Sequence, residues 1–127
     1  MKYELTQETI DVFGHTLYRI RYSDGLLSGW IESEKNLSQE GDAQVLNNAK
    51  VYGNARVYGN AKVCDNARVY GDAEIFGNAQ VYDDAGVFVN AKIYDNACVY
   101  GDSLAGGDVE IFGSAWIYDA RIHQNDY

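Results

Sequence analysis

Few side chains in this sequence are of kinds that do covalent or metal chemistry, and they lie far apart. The histidines are His15 and His123 and the cysteines Cys64 and Cys98. A zinc site needs three or four His, Cys or carboxylate ligands brought together. Two thiols without CxxC spacing and without a nearby His partner read instead as free thiols. The carboxylates are more regular: Asp65, Asp83, Asp84, Asp102 and Asp119 recur at intervals near eighteen residues. A row of that kind can present negative charge to a basic surface, although solvated turn residues chosen for their conformation would give the same pattern. Calcium at Asp83 and Asp84 would need further oxygens from a loop that the sequence lacks. A second row, Tyr58, Phe76, Tyr94 and Phe112, repeats at eighteen. Its chemistry is adhesion, since stacked aromatics support one another and a flat aromatic face suits a protein interface. No catalytic, cofactor-binding or metal-binding residue is expected.

What positions those rows is a repeat of six. Residues 51–85 read VYGNARVYGNAKVCDNARVYGDAEIFGNAQVYDDA. Each unit is an aliphatic, an aromatic, Gly or Asp, Asn or Asp, Ala, and a free position. With the aliphatic as position one, thirteen hexads run without insertion from Val45 to Ile117. Six is neither the helical period of 3.6 nor the strand period of two, so a short strand and a corner must alternate. Position one then points inward and its two neighbours outward. Positions three and four supply residues that tolerate turns, and Ala at position five fits a tight corner. Three sides close a coil of eighteen residues, and stacked coils pair each strand with its counterpart one coil away. The expected fold is all-β: a left-handed parallel β-helix of just over four triangular coils with a small N-terminal β cap. The first face points Val45, Val63, Val81, Val99 and Ile117 inward, the second Val51, Val69, Val87 and Ala105, the third Val57, Ile75, Ile93 and Ile111. The absence of proline agrees, because proline removes ladder donors.

Three regions follow. Residues 1–42 form a hairpin-like cap and junction, with KYELT and HTLYRIRYS as strands, DVFGH as their turn, and Trp30 and Ile31 covering the first core layer. Residues 43–119 form the helix. Residues 120–127 form a C-terminal cap or tail, because Ala120 arrives one place early. The net charge of −9 disfavours nucleic acid and anionic membrane as direct partners, since both are polyanions. That charge is uneven: residues 72–127 hold ten acids against Lys92 and Arg121. Without an apolar run of membrane length or a signal-peptide pattern, the expected location is the cytoplasm of a host cell.

With the KYELT…HTLYRIR opening, the GWIESEKNLSQEG junction and the V-Y-G-N-A repeats, the chain resembles a family of small hexapeptide-repeat proteins common in bacteriophages and prophages, including a YdcK-like group. The resemblance implies a left-handed helix and a phage setting, and brings no catalytic residues. Trimeric hexapeptide acyltransferases share the architecture but use a histidine at the subunit junction, and the thirteen hexads contain none. A carbonic anhydrase of this fold would need several coil histidines, and an ice-binding protein outward threonine rows; Thr6, Thr9 and Thr16 all precede the helix. The expected function is therefore non-catalytic: a phage-type protein-binding module. It would act as an acidic inhibitor or decoy of a host nucleic-acid-handling defence protein such as a CRISPR effector, through Asp65, Asp83, Asp84, Asp102 and Asp119. It is expected to self-associate as a dimer or trimer through Tyr58, Phe76, Tyr94 and Phe112. Alternatives are a virion assembly protein that polymerises through its coils and, less favoured, the acyltransferase.

Overall fold

Each hexad turns one corner because its third residue is held in the left-handed region. In every hexad from Asn47 to Asp119 that residue has φ between 51 and 69°. A side chain there costs about 1–2 kcal/mol unless the residue is Gly, or Asn or Asp bonding locally. This accounts for the Gly, Asp and Asn at position three. Val89, with φ 61°, is the β-branched exception. Between corners, two- or three-residue strands send the aliphatic side chain inward, and Val45, Val63, Ile75 and Val81 are fully buried along with the corner alanines Ala49 to Ala97.

The computed structural model describes residues 1–123. It is an all-β parallel solenoid of about five turns. The first face stacks Gln44–Val45, Lys62–Val63, Gln80–Val81, Cys98–Tyr100 and Trp116–Tyr118. The third face stacks Arg56–Val57, Glu74–Ile75, Lys92–Ile93 and Glu110–Ile111. The second face belongs to an eight-stranded sheet, in which β1 (Tyr3–Val12), β2 (His15–Tyr22) and β3 (Leu27–Ile31) precede Lys50–Val51, Arg68–Val69, Gly86–Val87, Leu104–Gly106 and Arg121–His123. Within the regular hexads paired residues lie eighteen apart, as with Val63 and Val81.

The ladder starts earlier than the hexad register does. Ile31 pairs in parallel with Val51 and Leu37 bridges to Val57, while Val45 pairs with Val63, so these three make one further coil. The boundary at residue 43 is thus where strict hexads begin, and the junction before it is already solenoid. A short 3-10 turn, Glu34–Asn36, replaces one corner. The buried Asn36 amide serves that corner: its oxygen accepts the Glu32 and Ser33 N–H groups at 3.1 and 2.9 Å, and its nitrogen donates to Ala55 O at 2.8 Å. Gly29 at φ 85° runs so close to the Val45 carbonyl that a β-carbon would clash.

The hairpin closes the leading end. β1 and β2 turn at Phe13 and Gly14, both at positive φ, and β2 pairs antiparallel with β3. The other two faces are closed by phenols: the Tyr3 hydroxyl donates to Leu37 O, and the Tyr22 hydroxyl donates to Val45 O at 2.6 Å while accepting Val45 N–H at 2.9 Å. Exposed strand edges invite another chain, and here two tyrosines occupy them.

At the other end, Arg121 lies opposite Leu104, so the last coil is one residue short and the ladder still continues. The expected tail falls partly on residues 124–127, which lie outside the described residues. In the fifth coil Ala105, Gly106 and Gly107 bring little side-chain volume, and Val109, at the next corner, packs against the core. No helix among the described residues is long and apolar enough to cross a membrane.

Candidate functional site

The corner that follows the first face brings the five aspartates together. Asp65, Asp83, Asp84, Asp102 and Asp119 line one shallow groove of about 560 Å³, with Asn47, Asn66 and Tyr118. They are not equivalent. Asp65, Asp83 and Asp119 occupy position three, at φ 59, 58 and 51°. Their carboxylates bind backbone amides of adjoining coils: Asp65 accepts the Asp83 N–H at 3.1 Å, Asp83 the Gly101 N–H at 3.0 Å, and Asp119 the Asp102 N–H at 2.8 Å. Asn47 begins the same series by accepting the Asp65 N–H at 3.2 Å. These side chains therefore stitch one coil to another while adding charge. Asp84 and Asp102 occupy position four and are exposed, and among the described residues their carboxylates accept no hydrogen bond. They are the members of the row whose charge serves no internal contact.

Elsewhere position four forms its own rungs. The Asn54 amide donates to Asp72 at 3.1 Å and Asn90 to Asp108 at 3.0 Å. Among the described residues no three His, Cys, Asp or Glu groups converge as metal ligands.

The third face carries the expected aromatic ladder. Tyr58, Phe76, Tyr94 and Phe112 stack with ring centroids 5.0, 4.9 and 5.4 Å apart and planes within 12° of parallel. Tyr58 donates to Glu74 at 2.9 Å and Tyr94 to Glu110 at 2.8 Å. Burial, reinforced by the Glu74 carboxylate, pushes the Tyr58 phenol up to about 12. The second face stacks Tyr52, Tyr70 and Phe88, and the first stacks Tyr82 on Tyr100 at 5.1 Å. Aromatic stacking is thus general on the coils, and among the described residues only the third-face ladder is unbroken across four of them.

Among the described side chains the chemical groups stay scattered. Cys64 and Cys98 are free, and burial raises both thiols, the reverse of what activates a nucleophile. His15 Nδ1 faces the Glu32 carboxylate at 3.0 Å and its ring packs on Tyr52 at 5.0 Å. Burial alone would raise the Glu32 carboxyl, but the His15 contact and the Gly53 N–H at 2.8 Å hold it below its ordinary value. This pairing fastens the hairpin to the second coil. The sequence pattern gave no hint of it, nor of the edge-capping tyrosines Tyr3 and Tyr22, because each depends on how the cap docks.

Residues 49–63 and 61–75 each match a family model described as YdcK Beta solenoid repeat. The likeness supports a β-solenoid repeat protein and covers only those coils. A comparison with curated proteins finds no match.

Proposed function

We propose that this protein is a non-catalytic binding module of phage type, which sets its acidic corner against a basic groove on a host nucleic-acid-handling protein and so competes with the nucleic acid. One observation carries this: five aspartates fall on one corner, and the internal bonds of Asp65, Asp83 and Asp119 fix that row on a rigid frame. A row of like charge steers association with a basic partner, and the three carboxylates already held in place give up little side-chain freedom on binding. The phage setting rests on the resemblance of the junction and repeats, and the defence-related partner on analogy with small acidic phage products and on the charge. Assembly through coil ends is less favoured, because the hairpin, Tyr3 and Tyr22 already occupy the leading edges.

The test is affinity capture of the tagged protein from a bacterial host lysate at low and high salt, with mass spectrometry of what is retained. Retention of a nucleic-acid-binding protein that is lost at high salt supports the proposal. Recovery of the bait alone, or of virion proteins insensitive to salt, overturns it.

A further inference from the structure

Beside the aromatic ladder of the third face runs a second row, one strand position before each buried aliphatic residue: Arg56, Glu74, Lys92 and Glu110. Its signs alternate from coil to coil, plus, minus, plus, minus. Both rows point outward, because the residues on either side of an inward one share the outer surface. The glutamates are held by the tyrosines of the preceding coil, Tyr58 on Glu74 and Tyr94 on Glu110. The cations are not so engaged. Among the described residues the ion pairs within 4.0 Å are His15 with Glu32 and Arg21 with Glu4, and both Arg56 and Lys92 are exposed.

From this alternation we infer that the third face pairs with the third face of a second copy, the two solenoids antiparallel, about a twofold axis parallel to the strands and midway between the Glu74 and Lys92 rungs. Such an axis reverses the order of coils and keeps each row over itself. Arg56 then meets the partner's Glu110, Glu74 meets the partner's Lys92, and the aromatic ladder meets the aromatic ladder. A slip of one coil sets like charges opposite one another, so the row specifies register as well as partner. A twofold along the solenoid axis would instead lay charge over aromatic rings and gain no such match. Four rungs at about 4.8 Å make a face smaller than the roughly 800 Å² per partner of standard interfaces. Dissociation on the order of tens of micromolar is therefore expected. This dimer uses a face separate from the acidic corner and stands independently of the proposed decoy activity.

The test is sedimentation of the full chain from micromolar to millimolar concentration, with circular dichroism to confirm folding. The native chain dimerises with concentration and more weakly at high salt. Arg56→Glu and Glu110→Arg, each alone, weaken the dimer by about tenfold or more. An equimolar mixture of the two restores it as a heterodimer, and so does the double variant. Lys92→Glu asks the same question at the inner rung should either outer variant fail to fold. A native chain that stays monomeric, single variants that dimerise like the native chain, or folded variants whose mixture does not recover would each overturn the inference.

Discussion

The acidic corner and the third face are made by the same hexad, yet their charges follow different periods. Along the corner, Asp65, Asp83 and Asp119 keep one sign from coil to coil, and neighbouring Asp84 and Asp102 add to it. Along the face, Arg56, Glu74, Lys92 and Glu110 change sign at every coil. A row of one sign cannot pair with itself and calls for a partner of opposite charge; an alternating row can pair with itself when reversed. The six-residue period dictates the fold, while the eighteen- and thirty-six-residue periods laid over it dictate what each surface meets.

The corner is where substitution is expected to hurt the fold most. Asp83→Ala removes the acceptor of the Gly101 N–H and leaves an ordinary side chain at φ 58°. A loss of about 2–3 kcal/mol in chemical denaturation is expected, adding left-handed strain to a lost hydrogen bond. Asp83→Asn keeps both features and should stay within about 0.5 kcal/mol of the native chain. Equal effects of the two substitutions would show that charge, and not the amide bond, matters there. Val89→Gly relieves the strained corner of the second face, where the chain should gain about 1 kcal/mol or slightly more. A destabilised Val89→Gly protein would mean that the valine side chain contributes contacts worth more than its strain.

On the third face the expected effect is smaller. Tyr58→Phe removes the bond to Glu74 and should cost about 1 kcal/mol or less. It also has a pH signature. The unfolded chain ionises this phenol at its ordinary 10.0, the folded chain only at about 12. The stability held by the neutral phenol is thus complete below pH 10 and is lost as pH rises through 12. Tyr22, raised by burial to about 12, contributes in the same window. Thermal melts from pH 9 upward should fall less steeply for Tyr58→Phe; an unchanged slope would assign the alkaline loss elsewhere.

Much of the fold was legible because the hexads run unbroken from Val45 to Ile117, and local residue choice agrees with the corner conformation at every hexad but that of Val89. The first coil was not legible. Leu37 follows Ile31 by six residues, but Val45 follows Leu37 by eight, and the two extra residues conceal the register. Both rows of the candidate site were readable as residues eighteen apart. What spacing could not separate was role: Asp83 and Asp84 are neighbours of one type, and only the φ of Asp83 and its bond to Gly101 distinguish a structural carboxylate from a free one. The sign alternation of the third face was present in the sequence and gains meaning once Arg56, Glu74, Lys92 and Glu110 are seen on one plane.

That separation supplies the most direct test of the corner. Asp84→Lys and Asp102→Lys reverse two exposed charges and disturb no internal carboxylate bond, so the double variant should melt like the native chain, within about 1 kcal/mol. The measurement is its affinity for the captured host protein beside that of the native chain, with duplex DNA as competitor. Affinity weakened by about tenfold or more, together with mutual exclusion between the native protein and DNA, is the expected result. A double variant that binds as tightly as the native chain, or a complex that holds DNA and this protein together, would contradict the acidic corner as the docking surface.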